Sequence, residues 1–342
     1  MKKTLCKGLG VLLLLICLGG FAFGSGAKEG AQAPKTEAKP IKLVGATQLP
    51  DTYVFWKTLV FFRDKVKEYY KGPLEIDLHH SGAVGTEKDY VEFMIQGVSV
   101  DFAIAAPSWA ATWDKRVSLL DPPFLYRDLD HWEKVLSSGE AFKPIEQDLL
   151  KKGLRILGYG GGGTRNLILR KPISTMQDAG SVLLRVMAAP IQSKIFNAAG
   201  MRPVPMDYLE VYNAIKTGVV DGLENESASL MSMKFYEVAP NIILTRHVIT
   251  VRPLFFSEKT FQKLPKDLQE VILKAGKEAA AFHRRTETKA DAEALKEMEA
   301  KGWIKTYPFD TSEMQKRAIP VLLEYAKEVG GEDIVKAVWA VK

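Results

Sequence analysis

The sequence predicts an α/β protein made of two similar lobes, and three observations carry that expectation. Short β-rich runs alternate with amphipathic helical patterns, the alternation occurs in two successive blocks, and one proline-free stretch is long enough to brace both. In the first block IKLVGAT, LEIDLHH and VDFAIAA are the strand runs. Between them lie TYVFWKTLVFFRDKVKEYY, with apolar residues near helical spacing, and KDYVEFMIQG. In the second block GLRILGYGG, SVLLRVM, MRPVPM and VVDGLE read as strands, with IQSKIFNAAG and LEVYNAIKTG as helices. No residue-level repeat links the two. The long stretch opens at Leu264-Pro265-Lys266, with Pro265 expected in the first helical turn, and Gly302 supplies its stop. At 1.5 Å per residue such a helix reaches roughly 50 Å, longer than a lobe of this size.

Ahead of these blocks, Lys2, Lys3 and Lys7 precede the apolar run VLLLLICLGGFAF, which is short for a membrane span and reads as an export signal over residues 1–24. Ala22 and Gly24 offer the small residues that cleavage needs, leaving Ser25 as the new N-terminus and a periplasmic destination. Lipidation at Cys17 is the alternative, against which Ile16 stands where a small residue is usual. Residues 25–40, GAKEGAQAPKTEAKP after Ser25, have almost no large apolar side chain and read as a flexible tether.

Both cysteines, Cys6 and Cys17, fall within the signal, so the expected mature chain has neither disulfide nor thiolate-metal chemistry. The formal charge of +6 falls to +3 once the three signal lysines go, 44 basic residues against 41 acidic, with no basic block. Nucleic acid is not an expected partner.

Three segments could carry chemistry. GYGGGGTRN, Gly158 to Asn166, could cradle a phosphate, but it lacks the Lys-Ser/Thr of a P-loop and no helical pattern follows it. The favoured reading is a crossover between lobes, with Arg165 at the cleft edge. SVLLRVMAAP ends a strand at Arg185, where α/β sheets gather ligands, and a guanidinium there matches a carboxylate with two donors. A surface or salt-bridging arginine is an equal reading from position alone. MDYLEVYNAIKTGVVDGLENES brings Asn225 to another strand end, as a ligand contact or as a turn or capping residue, and Tyr208 as a cleft wall or core. Catalysis has little support. His79 and His80 are adjacent and would point to opposite faces of a strand, His131, His247 and His283 stand alone, and no hydrolase or metal motif occurs. Neither metal nor cofactor is expected.

The chain resembles the solute-binding subunits of tripartite ATP-independent periplasmic (TRAP) transporters, of the dicarboxylate-binding type. The likeness runs from Ile41 to the end and is strongest in TRNLILRKPI (164–173), LLRVMAAPIQSKIFNAAGMRPVPMDYLEVYNAIKTGVVDGLEN (183–225), KFYEVA (234–239) and LPKDLQEVI (264–272). It implies two lobes joined by crossing strands and the long helix, 41–162 with 251–290 and 163–250 with 291–342, closing on a ligand that is then delivered to a membrane permease. The family's carboxylate-binding arginine falls on Arg185, its second cleft arginine on Arg165, its polar D-G-x-E-N residue on Asn225 and its aromatic before E-V-Y on Tyr208. Thr47, Gln48, Glu87 and the segment Ala106 to Trp109 match cleft-lining stretches of the first lobe. Ser181-Val182 departs from the usual basic run, and Glu226 replaces the usual proline after E-N. The absence of an acid near Ala106 argues against sialic-acid-like recognition, while Trp109 points to a more apolar or flat-faced partner, such as a sugar ring or an aromatic acid. The ligand the resemblance implies is an organic acid or a sugar acid such as a uronate. A sensor system without a permease would use the same fold.

Overall fold

The structure, a computed structural model, describes residues 39–342. The expected signal at 1–24, Cys17 and all but the last two residues of the 25–40 tether lie outside the described residues.

Nine strands form one mixed sheet: β1 Ile41–Ala46, β2 Leu74–His79, β3 Phe102–Ile104, β4 Leu154–Leu169, β5 Leu183–Val186, β6 Arg202–Pro205, β7 Gly222–Glu226, β8 Asn241–Ser257 and β9 Lys305–Pro308. Their order is β2-β1-β3-β8-β4-β7-β5-β6, with β9 against β8. The two blocks are built alike. In the first, β1 lies parallel between β2 and β3; in the second, β5 lies parallel between β6 and β7. Each trio then meets a long antiparallel strand, β3 on β8 and β7 on β4.

β4 and β8 pair with each other along both blocks and are the crossing strands. The sequence reading broke β4 at its glycines into a strand, a crossover and a second strand; the chain instead continues through them as one 16-residue strand. The register shifts between Gly161 and Thr164. Two glycines are required there. At Gly161, φ is +113° and a Cβ would sit 2.1 Å from Thr250 O; at Gly160 a Cβ would sit 2.4 Å from the His283 ring of the long helix.

The bulge also answers the phosphate question. Gly162 and Gly163 N–H donate to Thr250 Oγ1 (3.1 Å each), and Gly163 also donates to Glu287 Oε1 (3.2 Å). Thr164 N–H donates to Asp291 Oδ2 (2.9 Å). The N–H groups of this segment are thus taken by the Thr250 hydroxyl and by two carboxyl groups of the long helix, Glu287 and Asp291.

That helix runs Lys266–Ala300, 35 residues. Pro265 is its N-cap, one position ahead of the expected first turn, with ψ 147° too extended for a helical residue. Gly302, at φ +69°, closes the C-terminus as expected. In helix Val54–Tyr69 the residues Phe55, Leu59, Phe62 and Val66 recur at helical spacing and bury against Phe102, Phe256, Leu268 and Ile272. Across the second block, Leu167 and Leu169 of β4 face Leu184, Val186 and Phe196, while the intervening Ile168 faces Leu223, Ile215 and Phe235. Alternate residues thus bury on opposite faces, both covered.

Near the C-terminus, Leu322 and Tyr325 of helix Ser312–Glu328 join a cluster with Ile191 and Ile195. The following helix Glu332–Ala340 packs instead against Trp132 and Val135, and Trp339 Nε1 donates to Leu125 O (3.0 Å). No helix among the described residues is long and apolar enough to cross a membrane.

Candidate ligand-binding site

A narrow cavity lies where the two blocks face each other. Seven of the eight residues singled out from the sequence line it: Gln48, Glu87, Trp109, Arg165, Arg185, Tyr208 and Asn225. Thr47 does not. It is buried beneath the turn after β1, where its Oγ1 accepts from Leu49 N–H (3.2 Å) and its N–H donates to His79 O (2.9 Å). Its hydroxyl is spent shaping the loop that carries Gln48.

The first block contributes a rigid polar corner. Glu87 opens helix Glu87–Gln96 behind a capping box made by Thr86 and Asp89. Gln48 Nε2 donates to Glu87 Oε1 (3.1 Å), Glu87 N–H returns a bond to Gln48 Oε1 (3.2 Å), and Ala106 N–H donates to Glu87 Oε2 (2.7 Å). Burial raises the Glu87 carboxyl above its ordinary range, against these donors. Trp109, in the short helix Pro107–Ala110, forms the apolar wall beside it.

In the second block the two expected arginines have opposite environments, although both side chains are essentially buried. Every N–H of Arg165 is taken. Nε and Nη2 bind the carboxylate of Glu224, Nη2 also reaches Glu224 O (2.6 Å), and Nη1 donates to Asn225 Oδ1 and to Glu226 Oε2 (2.9 Å). Burial would raise the Glu224 carboxyl, but Arg165 and a bond from His247 hold it down at about 2.

Arg185 has no carboxylate within hydrogen-bonding reach. Nε and Nη2 donate to Met206 O (3.0 and 2.7 Å), the guanidinium lies 5.5 Å from the Tyr208 ring, and the remainder of its donor fork has no partner among the described residues. Burial pulls its pKa down to about 10, against the attraction of the Glu224 carboxylate. It remains a cation at neutral pH, with almost none of its surface open to solvent.

Asn225 ties these parts together: Oδ1 accepts from Arg165 and Nδ2 donates to Tyr208 OH (2.8 Å), whose hydroxyl also bonds Ser229 Oγ. One amide N–H of Asn225 stays free for a ligand oxygen. Arg165 thus lines the cavity with its whole fork held by protein partners, and it orients Asn225 and pairs with Glu224.

Sequence reasoning missed Arg252 and Phe55, both on the wall, and did not place Glu226 there. Tyr53 OH of the first block donates to Glu226 Oε1 of the second (2.8 Å) in a buried contact. The available signal for Arg252 was a charge inside the apolar run VITVRPLFF, which demands a buried partner. His247 and His283 are buried beside Glu224 and Glu287, and His131 is buried against Val338 O, so none is a surface residue.

A cleft between two sheet-based blocks, holding a buried cation with no carboxylate in hydrogen-bonding reach, has the make-up of a solute-binding protein. The model of the bacterial extracellular solute-binding protein family 7 matches residues 45–328, and the chain belongs to this family, the solute-binding proteins of TRAP transporters. A solute-binding protein of Sulfitobacter sp. (strain NAS-14.1) is 47% identical over 300 residues, 87% of this chain and 91% of that one. A crystal structure of a TRAP periplasmic solute-binding protein from Sulfitobacter sp. NAS-14.1, with bound α-D-taluronate, superposes with TM-score 0.85 at 46% identity, covering 87% of this chain and 97% of the other. Another from Citrobacter koseri, with bound D-glucuronate, gives TM-score 0.82 at 27% identity over 88% and 100%.

Proposed function

We propose that this protein captures a monocarboxylate sugar acid of the uronate class and presents it to a TRAP permease in the membrane. The observation that carries the reading is Arg185: a buried cation with an open donor fork and no carboxylate of its own. A ligand carboxylate supplies the missing charge bidentately, and exclusion of water strengthens the pair. Asn225 adds its free N–H. Glu87, fixed by Gln48 and Ala106, offers unused lone pairs to ligand hydroxyls, and Trp109 covers an apolar ring face. The taluronate and glucuronate carried by the two structural relatives support the same solute class.

Closure joins two bodies, 41–162 with 251–290 and 163–250 with 291–342, except that helix Glu332–Ala340 travels with the first, on which it packs. The chain is exported through the signal at 1–24, retains 25–40 as a tether, and performs no catalytic step. Isothermal titration with D-glucuronate, D-galacturonate and neutral hexoses tests the reading. Hexuronates are expected to bind the wild type and not Arg185→Ala. Binding of neutral hexoses alone, or equal hexuronate affinity in the variant, refutes it.

A further inference from the structure

Arg252 lines the same cavity in a third electrostatic state, unlike either Arg165 or Arg185. It sits on β8, opposite Gly160, with 4% of its surface exposed. Its Nη1 donates to Asp121 Oδ2 (3.0 Å) and to Val251 O (3.0 Å). Its Nη2 stands 3.8 Å from Glu226 Oε2, beyond hydrogen-bonding distance, and neither Nη2 nor Nε has a protein partner among the described residues. The charge is therefore compensated while part of the donor fork is open.

Charge and open donors have separate consequences. An uncompensated guanidinium demands an anion; a compensated one with free N–H groups is matched by an uncharged acceptor such as a hydroxyl or ring oxygen. A carboxylate brought to Arg252 would face Asp121, Glu226 and Glu87 in a water-poor cavity, where like charges repel strongly. A hydroxyl meets no such penalty, and can donate onward to one of those same carboxylates.

We propose that Arg252 is a specificity-determining ligand contact: its free Nε and Nη2 groups donate to uncharged solute oxygens, and its carboxylate-lined surroundings admit hydroxylated monoacids while rejecting diacids. This rests on the reading of Arg185 as the carboxylate anchor and deepens it.

The test uses the wild type with D-glucuronate, its 4-deoxy analogue and D-glucarate, which carries a carboxylate at both ends. The wild type is expected to bind glucarate at least about 100-fold more weakly than glucuronate. Replacing Arg252 alone would strand Asp121, so Arg252→Met is paired with Asp121→Asn, and a native melting transition establishes folding. Arg252→Lys, which keeps the charge and loses the fork, is the second variant. Both should lose roughly 10- to 100-fold in glucuronate affinity, the scale of hydrogen bonds from a charged donor. Both should also narrow the glucarate discrimination or the preference for glucuronate over the deoxy acid.

Folded variants with wild-type affinity and unchanged ratios overturn the proposal, as does equal wild-type affinity for glucarate and glucuronate. In either case the anchor reading stands if Arg185→Ala still abolishes binding. A wild type that binds none of the three acids overturns both.

Discussion

Arg165 and Arg185 lie twenty residues apart at equivalent depth, yet substitution should separate them into a stability residue and a binding residue. Arg165→Ala strands the carboxylates of Glu224 and Glu226, which it now holds through five N–H contacts shared with Asn225 and Glu224 O. Removing one side of a buried, hydrogen-bonded ion pair costs about 3–5 kcal/mol. For a chain of this size that is a fall of about 5–8 °C in melting temperature. Arg185→Ala gives up bonds to one carbonyl and a ring contact, about 1–2 kcal/mol together, and removes an uncompensated buried charge that opposes folding. The two effects nearly cancel, so its unliganded melting temperature should stay within about 3 °C of wild type. Its ligand affinity, by contrast, loses a buried charge pair of about 2–5 kcal/mol, roughly 30- to 5,000-fold in Kd. Differential scanning calorimetry of the unliganded proteins, followed by titration with D-glucuronate, measures both quantities. An Arg165→Ala protein as stable as wild type, or an Arg185→Ala protein that unfolds early, would refute the assignment of roles.

Three further outcomes test the frame around the site. Asp291, on the long helix, accepts from Thr164 and Ala228 N–H, and burial raises its carboxyl to about 7. Since an unfolded aspartate titrates near 4, the folded state holds a proton the unfolded state has lost, and stability falls as pH rises from about 4 to 7. Asp291→Asn should flatten that slope by at most about 4 kcal/mol in urea titrations at several pH values; an unchanged slope counts against it. Gly161→Ala forces a Cβ against Thr250 O at a positive φ and should destabilise by about 2–5 kcal/mol in the same assay, with near-neutrality showing that the bulge can relax. Tyr53→Phe removes the buried donor to Glu226 that links the two blocks and should raise Kd about tenfold through faster release in stopped-flow measurements; unaltered release would mean the link plays no part in closure.

Much of the architecture was legible because it depends on short-range pattern. Helical spacing in TYVFWKTLVFFRDKVKEYY, the cap and stop of the long helix and the repeated strand–helix rhythm are properties of neighbouring residues, and they reappear with small shifts such as Pro265 moving from first turn to N-cap. The unbroken β4 was not legible. Glycine runs read as interruptions, and only the packing of His283 and the long helix explains why strand pairing continues across them.

For the site, the sequence determined which residues stand at strand ends, and the resemblance assigned Arg185 its role. What the sequence could not state is how buried charges divide among partners far away in the chain. Arg165 faces Glu224 and Glu226 some sixty residues on, and Arg252 faces Asp121 across 131 residues. Electrostatic energy in a cavity depends on distances of a few ångströms that only the folded chain sets. Residue type thus supplied the three guanidiniums that line this cavity, and tertiary structure alone decided that one has its fork filled, one pairs with Asp121 with donors to spare, and Arg185 has no carboxylate within hydrogen-bonding reach.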